Sequence, residues 1–202
     1  MKFGTIIADP PWDYQAATRH DKKTRGYVAY RDGEELYPTL KTKDLCKLPI
    51  ADLAADNAVL LLWTTGPFVP DALEVVRAWG FTFKTMVYWG KLAKGGAVHR
   101  GGVGYWFRGA CEPVIVASRG KSVRTGEPGL YLSEKTRHSA KPNWLHEVSE
   151  RHFSGPYLEL FGRRERENWT VLGNEAPGDG LDIRVSVEKY CDSGTGSART
   201  QL

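Results

Sequence analysis

Residues 3–14 read FGTIIADPPWDY. Phe3, Ile6, Ile7 and Ala8 form a short apolar run, rich in β-branched side chains, that stops at Asp9-Pro10-Pro11-Trp12. A run of this length bounded by turn residues predicts a fully buried strand of a parallel sheet. Two successive prolines neither continue a sheet nor enter a helix interior, so the backbone must leave the sheet in an extended turn. Asp9 is therefore expected at the carboxyl end of a strand, the edge at which open α/β sheets take their ligands. Pro10 lacks an N–H but keeps a carbonyl that is free to accept, and Trp12 adds a flat apolar surface beside both. A carboxylate, a carbonyl and an aromatic plate in one turn suit a flat heterocycle with an exocyclic amino group, whose two hydrogens the acceptors would take. The same residues equally suit a strand closed by a rigid turn, and the rest of the chain decides between the two.

The chain has 202 residues, the length of one domain, expected over residues 1–177. From Ala176 onward Gly, Ser, Asp and Thr dominate, so 178–202 is expected as a flexible C-terminal tail. An apolar share of 41% with seven Trp permits a substantial core. The net charge of +4, from 28 basic and 24 acidic residues, is a mild excess, so contact with a polyanion must come from local patches. Cys46, Cys111 and Cys191 have no CxxC spacing, and no His/Cys cluster offers a metal site, so no metal is expected. Three widely spaced thiols and the lack of a secretory h-region fit a cytoplasmic protein. No stretch approaches the roughly 18 apolar residues of a membrane helix.

Along the chain, the polar stretch at 15–35, with Arg19, Lys22, Lys23 and Arg25, reads as a solvated loop or as a lid facing a phosphate backbone. Thr42 is the expected N-cap of a short helix stopped by Pro49, and 50–55 a further helical turn. Residues 59–63 (VLLLW) and Phe81 to Trp89 read as strands joined by a helix from Asp71 to Trp79, a βαβ unit. Lys91 to Gly104 is glycine-rich and basic, suited to nucleic acid or to an irregular crossover. Residues 113–118 form the next strand, and 121–138 a second basic loop. Pro142 is expected at the first position of a helix from Asn143 to Phe153. Tyr157 to Arg164 reads as a strand in which Glu159 faces away from Leu158 and Leu160, and a buried carboxylate needs a polar partner. Trp169 to Leu172 is the last strand.

IIADPPWDY (6–14), LYPTL (36–40), VLLLWTTGP (59–67), GYWFRGACE (104–112), HSAKP (138–142), GPYLELFGRR (155–164) and NWTVLGNE (168–175), in this order, resemble the MT-A70 family of adenine-N6 methyltransferases. The resemblance implies an α/β, Rossmann-like S-adenosylmethionine-dependent methyltransferase fold, with a mixed, mostly parallel sheet and helices on both faces. It implies a permuted motif order, the catalytic turn preceding the cofactor strand; the chain has no GxGxxG. Asp9, Pro10, Pro11 and Trp12 would form the catalytic turn. The cofactor S-adenosylmethionine would be held by Asp9, Lys141, Glu159, Arg163, Asn174 and Glu175. Lys141 would suit the methionine carboxylate, Glu159 the ribose hydroxyls or the methionine ammonium, Arg163 the neighbourhood of the ribose and Asn174 an adenine edge. Trp12, Tyr14, Tyr37, Trp106 and Glu112 would stack on or shape the pocket for the target base. That base must leave any duplex stack, because N6 is paired inside it.

The implied partner is nucleic acid, DNA ahead of RNA. The chain begins at the catalytic strand and so resembles the compact bacterial and phage forms. No membrane partner is expected, and association as a homodimer stays open. Adenine-N6 methylation of RNA, cytosine-N4 methylation (where Ser often replaces the leading Asp) and a non-catalytic nucleic-acid-binding subunit remain as alternatives.

Overall fold

Phe3–Ala8 is β1, and all six of its residues are buried. The computed structural model describes residues 1–13, 30–31, 34–35, 39–101, 106–121, 123–135, 141–174, 176 and 182–196. The further strands are β2 (Tyr30–Arg31), β3 (Glu34–Glu35), β4 (Ala54–Trp63), β5 (Thr82–Leu92), β6 (Cys111–Arg119), β7 (Leu130–Glu134), β8 (Tyr157–Leu160) and β9 (Trp169–Leu172). The helices are α1 (Thr42–Leu45), α2 (Ile50–Leu53), α3 (Val69–Ala78), α4 (Trp144–His152) and α5 (Ile183–Gly196).

Seven strands make one sheet in the order β7-β5-β6-β4-β1-β8-β9, while β2 and β3 pair only with each other. β1 runs parallel to β4 and β8, and β8 to β9. β6 is antiparallel to both β4 and β5. β5 therefore shares the direction of β4, and β7 follows it in parallel. A sheet covered on both faces needs strands apolar on both sides, which is why the VLLLW and FGTII stretches are unbroken apolar runs.

The alternation of each strand splits the core into two layers. Ile6, Leu60, Leu62, Ile115, Leu158 and Leu160 pack with α3 and α5 on one face. Ile7, Leu61, Trp63, Val114 and Trp89 pack with Trp144, Leu145 and Val148 of α4 on the other. Because only β6 is reversed, the carboxyl ends of the other six strands and the start of β6 lie along one edge.

Several expectations change. The unit from β4 through α3 to β5 is a crossover, but β6 is inserted between its two strands. Thr42 does not cap α1; Lys41 is the N-cap, and the Thr42 hydroxyl donates instead to Asp71 Oδ1 at 2.6 Å. Pro142 precedes the N-cap of α4, Asn143, rather than occupying the first helical position. The loop expected over 121–138 contains β7, and the strand expected to Arg164 ends at Leu160. The region expected as a frayed tail holds α5, whose Ile183 and Val187, 1% and 0% exposed, are anchored in the core.

Candidate active site

Asp9 leaves β1 at the shared strand edge, and the turn behind it is pinned from several sides. The Asp9 N–H donates to Leu160 O of β8 at 3.4 Å, the Leu40 N–H to Pro11 O at 2.9 Å and the Trp12 N–H to Pro10 O at 2.9 Å. The Pro10 carbonyl is thus not wholly free, as the sequence suggested; it keeps one of its two lone pairs. Trp12 is not an open plate either. Its ring is 5% exposed and stacks on Phe68 at 5.6 Å, while its indole N–H donates to Trp63 O at 3.2 Å. A ring this apolar gains more from the core than from solvent, and its single donor finds a backbone acceptor. Trp12 anchors the turn.

The Asp9 carboxylate is gripped by Lys141, whose Nζ donates to Oδ1 at 2.9 Å and Oδ2 at 2.7 Å. The same ammonium lies 3.3 Å from Glu112 Oε2, and Glu112 Oε1 accepts a hydrogen bond from Lys91 Nζ. Two carboxylates and two ammonium groups therefore alternate along the strand edge: Asp9 after β1, Lys141 before α4, Glu112 in β6 and Lys91 in β5. Register makes the last two neighbours, since Trp89 of β5 lies opposite Glu112. Trp rings lie beside the cations, Lys141 Nζ 5.3 Å from the Trp63 centroid and Lys91 Nζ 5.1 Å from that of Trp89. Burial alone would raise the Glu112 carboxyl, but Lys141 and Lys91 outweigh it and hold it below the usual carboxylate range. Burial likewise works against the Lys141 ammonium, yet Asp9 and Glu112 leave it above the usual lysine range.

From sequence Lys91 falls in the basic stretch suited to nucleic acid or to an irregular crossover. It belongs to β5 instead, and its side chain is 14% exposed, because Glu112 needs a second cation once buried. Trp106 is 92% exposed on the segment leading into β6, as is its neighbour Phe107 at 89%. Tyr14, Tyr37 and Glu175 lie outside the described residues, as does the expected lid over 19–25.

Beside the carboxylate end of this chain is a cavity of about 360 Å³, lined among others by Asp9, Pro11, Phe161, Arg163, Asn174 and Asp182. Its size falls in the range of small-molecule clefts, about 300–1,000 Å³. The turns after β8 and β9 build one wall. Phe161 takes a left-handed φ of 65°, a strained conformation of the kind that persists where a site over-determines it. Gly162 follows because a Cβ there would come 2.4 Å from Val171 Cγ1. Asn174 Oδ1 accepts the Ile183 N–H at 2.9 Å, which ties this turn to α5.

Glu159 turns to the opposite face of β8, as its alternation predicts. It is not among the residues lining the cavity, and its Oε2 lies 2.9 Å from His146 Nε2 on α4. The His146 ring sits edge-on to Trp169 at 4.8 Å, and its Nδ1 is buried without a partner among the described residues. His146 was missed from sequence; the demand of Glu159 for a partner was the available signal. Lys141 likewise does not line the cavity. No group of His, Cys, Asp or Glu among the described residues could hold a metal ion, and no described helix is long and apolar enough to cross a membrane.

Comparison with known proteins matches residues 3–175 to the MT-A70 family. The chain is 30% identical over 202 residues to the type II methyltransferase M.MunI of Mycoplasma sp, covering 93% of this chain and 83% of that protein. It is 28% identical over 184 residues to the N(6)-adenosine-methyltransferase catalytic subunit METTL3 of Homo sapiens, and 29% identical to its Danio rerio counterpart. Those alignments cover 88% of this chain but only 29% and 28% of the METTL3 chains.

Proposed function

This chain belongs to the MT-A70 family, and from that premise we propose that it transfers a methyl group from S-adenosylmethionine to the N6 amino group of adenine in nucleic acid, with DNA as the substrate. The observation that carries the reading is Asp9: a carboxylate at a strand end, held at both oxygens by Lys141 and lining a cavity of cofactor size. DNA is favoured because the match to the type II methyltransferase runs over most of both chains, whereas the adenosine methyltransferases named above are more than three times longer than the matched region.

The cavity fits the cofactor on chemical grounds. Phe161, Leu40, Pro11 and Ile183 offer apolar surface for a purine, while Arg163 and Asn174 offer the donors and acceptors that a nucleoside and an amino acid require. When bound, S-adenosylmethionine supplies a methyl group on a sulfonium that leaves as a neutral thioether. The adenine N6 lone pair is delocalised into the ring and is a poor nucleophile. Asp9 Oδ1 or Oδ2 and the remaining lone pair of the Pro10 carbonyl accept its two N–H bonds. This favours tetrahedral geometry at N6 and stabilises the positive charge that develops there. Asp9 then takes the surplus N6 proton. Lys141 holds the carboxylate plane, and Glu112, itself held by Lys91, holds Lys141, so the acceptors are oriented before the base arrives. No covalent enzyme intermediate is required.

The test is transfer of a labelled methyl group to DNA and RNA oligonucleotides of defined base content. Label on adenine N6 of DNA is the expected result. Label on cytosine, on RNA alone, or binding without transfer would each replace this reading by one of its rivals.

A further inference from the structure

We infer that Asp182, immediately ahead of α5, binds the ribose hydroxyls of the methyl donor, so that the pocket is completed by chain beyond residues 3–175. The inference rests on the reading that the cavity takes S-adenosylmethionine. Asp182, Ile183 and Arg184 stand in the wall of the same 360 Å³ cavity as Asp9, Arg163 and Asn174. Their position is fixed from both sides: Ile183 is 1% exposed within the core, and its N–H is bound to Asn174 Oδ1.

Glu159, which the family resemblance offers to the ribose hydroxyls or the methionine ammonium, does not line the cavity and is paired with His146. Of the other carboxylates in the wall among the described residues, Asp9 is held at the reacting end by Lys141 and Asp44 pairs with Lys47 at 3.2 Å. Asp182 is oriented by Arg184. Its Oδ1 accepts the Arg184 backbone N–H at 2.9 Å and Nε at 2.7 Å, and its Oδ2 accepts Nη2 at 2.8 Å. Capping α5 needs only Oδ1. A carboxylate carries about four lone-pair sites, so Oδ2 keeps acceptor capacity, and the side chain is 34% exposed and reachable. Vicinal hydroxyls are the donors that an acidic side chain takes in nucleotide sites.

The experiment titrates the full chain calorimetrically with S-adenosylhomocysteine and, separately, with adenosine. Asp182→Ala is expected to weaken both ligands by a similar factor, roughly ten- to a hundredfold for a hydrogen bond to a charged group. Glu188→Gln, exposed further along α5, should leave both unchanged. Equal affinity in Asp182→Ala, or loss for S-adenosylhomocysteine with adenosine unaffected, overturns the inference while the donor reading stands. A wild-type chain that binds neither ligand overturns the donor reading and the inference with it. Hydrogen exchange of the wild type guards against a variant that fails to fold. The amides of residues 183–187 should gain protection when S-adenosylhomocysteine is added, and unchanged exchange there refutes the role of Asp182.

Discussion

Asp9→Asn keeps the size of the side chain and removes the carboxylate from both Lys141 and the amino group it would meet. Turnover should fall about 10²- to 10³-fold, the usual cost of deleting one preorganised polar group at a reacting centre. Label transfer measures this, and an unchanged circular dichroism spectrum shows that the fold survives; turnover near wild type would remove Asp9 from the mechanism. The acceptor itself was legible because a strand followed by Asp-Pro-Pro leaves the carboxylate one place to go. Its supports were not. Lys91 looks in sequence like any lysine near glycines, and only the β5–β6 register puts it beside Glu112. His146 follows a leucine on the flank of a helix, and nothing local marks it as the neighbour of Glu159.

At the scale of elements, Trp12 turns from a candidate binding surface into a fastener. Trp12→Ala should lower stability by about 3–5 kcal/mol, the range for emptying a buried aromatic site. Trp12→Phe keeps an aromatic against Phe68 but strands the Trp63 carbonyl, and should cost nearer about 1 kcal/mol. Urea unfolding with an unchanged slope would show both; a Trp12→Ala midpoint equal to wild type would mean that the turn holds without it. The central strands were readable because burial on both faces demands unbroken apolar runs. β7 was not: Leu130 and Leu132 are 52% and 54% exposed on an edge strand whose sequence, LYLSE, lies amid loop residues. α5 was hidden by its glycine and serine content, and Ile183 and Val187 are too short a pattern to announce a helix without the surface they cover.

For the whole molecule, the alternating cluster links β1, β5, β6 and the approach to α4, so its ionisation bears on global stability. Glu112 sits below its ordinary value, so its contribution is present above the unfolded glutamate value of about 4.3 and lost as pH falls through the folded one. Lys141 sits above its ordinary value, so its contribution is present below about 10.4 and lost as pH rises through the folded one. Lys141→Met should therefore cost most stability near neutral pH, where Glu112 is ionised without the cation that holds it down, and the deficit should shrink as pH falls and the carboxyl is protonated; thermal melts across pH would show the acid limb flattening. A deficit that does not change with pH would refute the coupling. The same scale governs polyanion binding. With a net charge of only +4, the DNA binding that the proposed function requires must come from local groups such as Lys94, Arg100 and Arg108. Replacing these three by alanine should make the salt dependence of binding shallower, by up to about 0.9 for each phosphate no longer neutralised. An unchanged slope would place the backbone-binding groups elsewhere.

The reversal of β6 has a practical consequence for anyone lengthening this chain. Glu112 arrives at the start of its strand, whereas Asp9 departs from the end of another. One extra residue between Gly109 and Cys111 would have to be absorbed before the β5 pairing begins, or Glu112 would swing to the far side of the sheet. The same residue inserted beside Gly126, past the other end of β6 and ahead of the Glu127 contacts with Arg151 and His152, has open space to bulge into. Insertion scanning should find the first stretch intolerant and the second permissive.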